Sequence, residues 1–282
     1  MGIHPTALVD ASAKIGEEVT IGPFAIIEAG VVIGDRCTIE AFAILKNGTV
    51  LGSDNHVYER ATIGGPPQHI RCPAQTGGVV IGSGNTFREN TTVHSALDTH
   101  HNTTIGDGNY LMVGAHVAHD CVVGNHAIFA NNATLGGHVV VEDRAYISGN
   151  VAVHQFCRIG TLAMVGGLAR VVKDVPPFVT IDGVSCNVVG LNSIGLRRAG
   201  YTTAQIAELK KAYRTIYRSG LTWREIIETL QRDFTAEPVS NFGRFLPLVT
   251  RGIVQERRMP PGATVKFTEE AVPEPQLRVA GA

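Results

Sequence analysis

The sequence predicts a mainly β fold, a parallel β-helix of hexapeptide repeats followed by a small α-helical C-terminal domain. An apolar residue recurs every six positions, glycine is abundant at 32 of 282 residues, and helical patterns follow the end of the period at Val171. Between residues 3 and 171, 26 of the 29 positions in steps of six hold Ile, Leu, Val or Phe. A period of six fits neither an α-helix nor an alternating strand, and it is typical of a hexapeptide β-helix.

The geometry of such a prism gives each position of the repeat a direction. Each hexapeptide supplies a short strand and a corner, so a triangular coil takes about 18 residues and successive coils stack about 4.8 Å apart. The apolar anchor and the small residue four positions later point inward, whereas corner residues point outward. Cys37, Cys121 and Cys157 occupy the small inward position, which predicts that they are core residues.

Interruptions of the repeat define the domain organisation. At residues 65–78 and 95–104 the apolar anchor is lost and then returns in phase, which predicts two loops protruding from the prism. Loops on a rigid scaffold are where proteins usually meet ligands. We therefore expect a β-helix over residues 1–180, a linker and α-helical domain over 181–254, and a flexible, Pro-rich tail over 255–282.

Two capping boxes predict helices in the second domain. Thr202 with Gln205, and Thr222 with Glu225, have the spacing in which side chain and backbone cap each other. A third helix is expected over residues 238–254. Residues 195–224 hold seven Lys or Arg against one acid, Glu208. This excess is either a solvated helix face or a patch for an acidic or phosphorylated partner.

Composition excludes several classes of protein. The formal net charge of −1 argues against a nucleic-acid partner. The sequence contains no apolar run of about 18 residues, so we predict no transmembrane segment, and the N-terminus MGIHPTALVD does not resemble a signal peptide. The five cysteines form no CxxC pair, which favours a reducing compartment and a cytoplasmic location.

The stretch GAHVAHDCVVGN, residues 114–125, carries two histidines three residues apart, the second followed by an aspartate. Because residues 18 apart stack on neighbouring coils, His138 is expected to stack on Asp120, and Gly137 on His119. His154 falls two coils after position 118, which is the residue before His119. The repeat therefore predicts that histidines distant in sequence converge on one outward-facing corner of the prism.

Acid–base chemistry fits this corner best. Imidazole titrates near neutrality, as a base that removes a hydroxyl proton must, and Asp120 is placed to orient the His119 ring. Zinc is an alternative, because three imidazoles about 5 Å apart can bind it. The spacing differs, however, from the histidine triad of carbonic anhydrases of this fold class. We therefore predict neither a metal nor a cofactor; core and plain surface roles for His119 remain weaker alternatives.

Several ordered motifs resemble one family. GAHVAHDCVVGN, ANNATLGGHV, VAVHQFCRIG, MVGG and GLNSIGLRRAGY are similar to segments of the UDP-N-acetylglucosamine O-acyltransferases of lipid A biosynthesis. The likeness covers residues 3–254. It implies a left-handed parallel β-helix, a homotrimer with sites between adjacent prisms, and transfer of an (R)-3-hydroxyacyl group from acyl carrier protein to the 3-hydroxyl of a UDP-sugar.

The resemblance also implies roles for individual residues. His119 matches the general base, and the backbone N–H of Gly137 matches the donor to the oxyanion. The basic face over 195–224 would meet the acidic carrier protein, and Gly167 matches a position that limits acyl length. The remaining matches line the cleft or contact the nucleotide: His116, His138, His154, Gln155, Asn192 and Arg198.

The loops that would meet the substrate depart from the family pattern. His69 and Arg71 stand where the family usually has Asp and Lys, and the family's IHRG is here Val93–Ala96, which keeps His94 but loses an arginine. We still expect His69, Arg71 and His94 to bind substrate. These departures leave alternatives open: an aminated or another nucleotide sugar as the acceptor, an acyl-CoA as the donor, or a non-catalytic scaffold.

Overall fold

The computed structural model describes residues 2–257, which form a left-handed parallel β-helix followed by a helical domain. The first sheet of the prism has eleven strands: Gly2–Ile3, Thr20–Ile21, Thr38–Ile39, His56–Val57, Thr86–Phe87, Tyr110–Leu111, Ile128–Phe129, Tyr146–Ile147, Met164–Val165, Val179–Ile181 and Val188–Leu191. The second has nine: Leu8–Val9, Ile26–Ile27, Ile44–Leu45, Thr62–Gly65, Thr92–His94, His116–Val117, Thr134–Leu135, Ala152–Val153 and Arg170–Val171. The third has eight: Lys14–Ile15, Val32–Ile33, Thr49–Leu51, Gly78–Ile81, Asn102–Ile105, Val122–Val123, Val140–Val141 and Arg158–Ile159.

The chain visits the three sheets in turn, and neighbouring strands are parallel except for the final pair of the first sheet. A regular coil has 18 residues, as in the pairing of Val117 with Leu135. Val57 instead pairs with Phe87, and Phe87 with Leu111. These two coils carry 30 and 24 residues. Because both lengths are multiples of six, the phase survives the loops, as the sequence predicted.

The interior of the prism is the apolar core. Every Ile, Leu, Val or Phe at an anchor position from Ile21 to Val171 is buried, and so are Cys37, Cys121 and Cys157. Both the inward direction of the anchors and the core position of the three cysteines are therefore confirmed. Ile3 is 41% exposed, because no earlier coil covers the first one. Coil stacking therefore contributes most of the burial, as expected for a repeat protein.

A buried ladder of asparagine side chains, which the apolar period did not predict, joins the coils that carry the loops. Asn55, Asn85 and Asn109 occupy the small inward position and are essentially inaccessible. Asn85 Nδ2 donates to Asn55 Oδ1 at 2.9 Å, and Asn109 Nδ2 donates to Asn85 Oδ1 at 3.0 Å. These amides satisfy one another in the dry interior and fix the register where the coil length changes.

Four helices follow the prism: α1 (Ser193–Arg198), α2 (Thr203–Arg218), α3 (Trp223–Asp233) and α4 (Ser240–Phe245), with a 3-10 turn at Leu246–Leu248. Both predicted capping boxes are formed, at the start of α2 and of α3. The predicted helix over 238–254 is wrong in extent. It is only six residues long, because Pro247 lies in the 3-10 turn and Gly252 then adopts a positive φ of 72°. Helix α1 was not predicted.

The segment after α4 returns to the end of the prism. Val254 N donates to Asp174 O at 2.9 Å, and the Glu256 carboxylate accepts from Tyr213 Oη at 2.7 Å on α2. Residues 255–257 thus contact the folded domain, and the rest of the expected tail, 258–282, lies outside the described residues. Within the described range, no helix combines the length and hydropathy needed to cross a membrane.

Candidate active site

The histidine corner is the edge of the prism where strands of the second sheet turn into strands of the third, at residues 118–121, 136–139 and 154–157. The 18-residue register stacks His119 with Gly137 and Gln155, and it stacks Asp120 with His138 and Phe156. Both loops leave from this same edge. The first, between Gly65 and Gly78, lies two coils before His119, and the second, between His94 and Asn102, lies one coil before it. The fold therefore brings the stacked histidines and both loops to one place.

His119 and Asp120 form a hydrogen-bonded pair. His119 Nδ1 lies 2.7 Å from Asp120 Oδ2. The same carboxylate oxygen accepts from Leu97 N at 3.1 Å, and the Asp120 N–H donates to Thr103 Oγ1 at 2.8 Å. A carboxylate on Nδ1 favours the tautomer that carries hydrogen there, which leaves a lone pair on Nε2 when the ring is neutral. The backbone of the loop residue Leu97 thus holds the carboxylate that orients the base.

The burial of His119 departs from the sequence expectation. Corner residues point out of the prism, but His119 is only 8% exposed. The loops explain the difference: the His69 ring lies edge-on to His119 at a centroid distance of 5.9 Å, and Leu97 from the second loop reaches Asp120. The side chain lies outside the apolar core and inside a pocket that the loops close.

Only glycine fits at position 137. A Cβ built there would lie 2.6 Å from His119 Cε1 and 2.7 Å from Nε2, both far inside van der Waals contact. The free Nε2 of His119 therefore lies directly over the Gly137 backbone. Among residues 2–257, the Gly137 N–H donates to no acceptor. The base and a residue with an unengaged backbone donor are consequently in direct contact.

His138 completes the cluster. Its ring lies edge-on to His119 at 5.2 Å, and its Nε2 is 3.8 Å from Asp120 Oδ2. Burial lowers the pKa of His138, Asp120 raises it in part, and the neighbouring His119 lowers it further. The cluster opens into a cavity of about 780 Å³ that Arg71, Asp98 and His101 also line. His101 belongs to this corner because the phase persists through the second loop.

The cluster also has the composition of a metal site. One ligand atom each from His119, Asp120 and His138 lie within 4.8 Å of one another. Two ligands of a tetrahedral zinc ion at ordinary bond lengths lie about 3.3 Å apart, whereas His119 Nδ1 and Asp120 Oδ2 are separated by 2.7 Å. That distance is typical of a charge-assisted hydrogen bond. The observed geometry favours an acid–base pair over a ligand set.

His94 and His116 extend the cluster along the second sheet. Their rings meet edge-to-face at 5.0 Å, and His116 Nδ1 lies 2.8 Å from Thr92 Oγ1. Burial lowers the pKa of His116 to about 4, with smaller contributions from His94 and His119. Burial also lowers the pKa of His94, whose Nδ1 has no hydrogen-bond partner among the described residues. Both rings are therefore neutral near pH 7 and can exchange hydrogen bonds with hydroxyl groups.

Asn192 and Arg198 lie on another side of the prism. They line a groove of about 900 Å³ with outward side chains of the first sheet, including Tyr146 and Met164. Asn192 also caps α1: its Oδ1 accepts from Gly195 N at 2.9 Å, and its Nδ2 donates to Leu162 O at 3.0 Å. One chain alone does not bring this groove to the histidine corner.

The remaining candidate residues are exposed or at another corner. His154 and Gln155 lie on the histidine corner two coils after His119, and His154 Nδ1 is 3.1 Å from its neighbour's carbonyl oxygen. Within the described chain, the His154 ring contacts neither His119 nor His138. Gly167 lies where the first sheet turns into the second, and a Cβ there would meet Gly149 O at an ordinary 3.5 Å. That surface has room for a side chain.

The prism of hexapeptide repeats and its histidine–carboxylate corner define a hexapeptide acyltransferase. The family model described as bacterial transferase hexapeptide (six repeats) matches residues 12–47 and 102–137. The model described as UDP-N-acetylglucosamine O-acyltransferase, domain 2, matches residues 174–254.

Relatives and solved structures agree with these models. Proteins named acyl-(acyl-carrier-protein)–UDP-N-acetylglucosamine O-acyltransferase from Halorhodospira halophila and Neisseria gonorrhoeae are 49% and 50% identical over 255 residues, covering 90% of this chain and 99% of each relative. The solved UDP-N-acetylglucosamine O-acyltransferase of Moraxella catarrhalis is 37% identical with a TM-score of 0.87, covering 90% of this chain and 100% of that one. This chain belongs to the UDP-N-acetylglucosamine O-acyltransferase family.

Proposed function

We propose that this chain transfers an (R)-3-hydroxyacyl group from acyl carrier protein to the 3-hydroxyl of UDP-N-acetylglucosamine, the first step of lipid A synthesis. The observation that carries the chemistry is the His119–Asp120 pair, whose free Nε2 faces the Gly137 backbone. The names of the relatives supply the donor and the acceptor. Family membership alone gives the substrates, and the corner geometry gives residues able to process them.

The reaction uses His119 first as a base and then as an acid. Nε2 accepts the proton of the sugar hydroxyl while the oxygen attacks the thioester carbonyl carbon, so a C–O bond forms and charge collects on the carbonyl oxygen. The Gly137 N–H stabilises that oxyanion, a contribution of roughly 3 kcal/mol for a preorganised donor. Collapse of the intermediate breaks the C–S bond, and the carrier thiolate takes the proton from the His119 imidazolium.

We propose that the active assembly is a homotrimer with sites between copies. His119 and the groove of Asn192 and Arg198 open on different sides of one prism. A site that uses both needs the histidine corner of one copy beside the groove of the next, and threefold rotation makes every such interface alike. Arg198 then contacts the phosphates of the nucleotide, while His94 and His116 bind sugar hydroxyls as neutral donors and acceptors.

Complementation between two inactive variants tests this arrangement. His119→Ala and Arg198→Ala, co-expressed in equal amounts, mix at random, and about one quarter of the interfaces then combine an intact His119 with an intact Arg198. We expect about a quarter of wild-type activity to return. If both residues of one site come from a single copy, mixing restores nothing.

The carrier protein is proposed to dock on α2. Ion pairs neutralise part of the predicted basic face, since Lys211 pairs with Glu208 and Arg218 with Glu256. Among the described residues, Lys210 and Arg214 form no ion pair. They line a cleft of about 170 Å³ beside Ser193. A cationic helix face next to the nucleotide groove suits an acidic donor protein. All five cysteines are free thiols, which suits the cytoplasm, where such carriers are used.

Product analysis tests the substrates. Purified protein is incubated with UDP-N-acetylglucosamine or its 3-amino analogue, and with 3-hydroxyacyl carrier protein or the matching acyl-CoA, and products are identified by mass spectrometry. We expect an O-acylated sugar from the carrier thioester, lost in His119→Ala. Turnover of the amine alone would place this chain with an aminated acceptor, a possibility that His69 and Arg71 in the first loop motivate. Turnover with acyl-CoA alone would reject the carrier.

A further inference from the structure

Phe156 is an aromatic residue of the histidine corner that the proposed mechanism does not use. Its side chain is 48% exposed and lies outside both buried apolar clusters of the described chain. Its backbone has a φ of 65°, a left-handed conformation that costs energy for a bulky residue. Folding therefore gains little from a phenyl ring at this corner.

The ring stacks on the cluster. Phe156 lies flat on His138, with centroids 4.6 Å apart and an interplanar angle of 8°. The coil fixes its position, because Phe156 N donates to Gly137 O at 3.1 Å. On the neighbouring coil, away from Phe156, His138 meets the His119–Asp120 pair. The His119 ring centroid is 5.2 Å away, and Asp120 Oδ2 lies 3.8 Å from His138 Nε2. The imidazole is thus held between Phe156 and the His119–Asp120 pair.

His138 needs such a support. Its side chain is 39% exposed, and the separation of 3.8 Å from Asp120 is too long for a hydrogen bond. Among residues 2–257, the nearest aromatic ring to His138 is that of Phe156, at 4.6 Å against 5.2 Å for His119. An aromatic stack biases side-chain orientation by about 2- to 10-fold in population. Without it, the imidazole can rotate away from the carboxylate that His119 also uses.

We propose that Phe156 is a positioning residue for acyl transfer: its ring holds the His138 imidazole edge-on to His119 and directed at Asp120. The kinetic part of this proposal rests on the proposed function. The structural part, the orientation and hydration of His138, does not, so the two can fail separately.

The stack also affects the charge of His138. The groups that face this imidazole are Asp120, His119, His101 and His69, with Arg71 and Asp98 in the same cavity. Phe156 covers one face of the ring, and burial lowers the pKa of His138. Removal of the phenyl ring hydrates that face and raises the pKa toward the ordinary value. A protonated His138 would then compete with His119 for the Asp120 carboxylate.

The test compares Phe156→Ala, Phe156→Leu and Phe156→Tyr with a matched control, Phe42→Ala. Phe42 is also 48% exposed, has a corner φ of 62° and stacks on another ring, that of Phe24, but it lies at a different corner. In the full-length protein, NMR titration of the histidine Cε1–H resonances measures the pKa of His138, and steady-state kinetics separates kcat from KM.

We expect Phe156→Ala to raise the pKa of His138 and to lower kcat about 3- to 10-fold, with KM for the nucleotide sugar within twofold. Phe156→Tyr should restore both values, Phe156→Leu should not, and Phe42→Ala should change neither. An unchanged His138 titration in Phe156→Ala overturns the proposal whatever the substrate. A rise in KM alone in Phe156→Ala also overturns it, because the ring would then contact substrate. Wild-type values in Phe156→Leu overturn it as well, because the ring would then serve only as apolar cover.

Discussion

The Nδ1 of His119 and Oδ2 of Asp120 lie 2.7 Å apart in a pocket that two loops close. Both side chains are about nine-tenths buried, so water does not compete for this hydrogen bond as it does at a surface. The carboxylate therefore sets the tautomer and the direction of the imidazole before any substrate binds.

Asp120→Asn keeps the size of the side chain and removes its charge. An amide can present its NH₂ group to Nδ1, which would stabilise the tautomer without a lone pair on Nε2. We expect kcat to fall roughly 100- to 1,000-fold with little change in KM. Steady-state kinetics measures this, with Asp98→Asn as the control, since Asp98 lines the same cavity and does not contact His119. A loss below tenfold would show that Asp120 does not orient the base.

Gly137→Ala tests the packing of the base on the backbone. The new Cβ would sit 2.6 Å from His119, so the ring must move off the Gly137 backbone and away from Asp120. We expect kcat to fall at least 100-fold, within the range for loss of a general base. Gly149→Ala is the matched control, because Gly149 has the same place in its hexapeptide and its Cβ would lie an ordinary 3.4 Å from Asn131 O. Equal losses in both variants would point to a general backbone effect.

Asn85→Ala tests the interior ladder. The change leaves the Asn109 backbone N–H without its buried acceptor, whereas Asn55 Oδ1 loses the Nδ2 donor but keeps the backbone N–H of residue 85. A buried unsatisfied group costs about 1–3 kcal/mol. We expect the free energy of unfolding to fall by about 1–3 kcal/mol, measured by denaturant titration. Asn47→Ala, at an exposed position, should change it by less than about 0.5 kcal/mol. A loss near that of Asn47→Ala would mean that the ladder contributes nothing measurable to stability.

The repeat made much of the site predictable, because it converts sequence separation into position. Gly137 falls on His119 and His138 on Asp120 by addition of 18, and the same arithmetic places Phe156 on His138, although its neutral side chain gave no reason to single it out. Other parts of the fold and of the site cannot be placed by counting residues. Helix α1 is too short for an apolar period, and the paths of the loops depend on contacts such as Leu97 N with Asp120. The burial of His119 follows from those contacts.

The buried histidines predict a dependence of stability on pH. Burial lowers the pKa of His116 from an ordinary 6.5 to about 4, so in this range the unfolded chain binds more protons than the native one. Stability should therefore be complete above about pH 7 and fall as pH drops toward 4. The full shift corresponds to an upper limit of about 3 kcal/mol for this group. His94 acts in the same direction.

Unfolding free energies measured from pH 7 to pH 4 test this dependence. His116→Gln should flatten the decline, since glutamine does not titrate, while His4→Gln at the exposed N-terminal coil should leave it unchanged. An identical slope in His116→Gln and the wild type would show that the native imidazole takes up its proton freely.

Gly167→Met tests the predicted limit on acyl length. A Cβ at position 167 meets only Gly149 O at 3.5 Å and Ser148 Cβ at 3.9 Å, so a side chain fits its own prism and would project from the surface. Because Gly167 matches a family position that limits acyl length, we propose that a longer side chain there shortens the acyl site. We expect kcat/KM to move toward donors with shorter chains, by about tenfold for each two methylenes that lose their place. Gly167→Ala should give a smaller shift in the same direction. Competition among carrier thioesters of increasing length measures the preference, and an unaltered order in Gly167→Met would remove Gly167 from the acyl site.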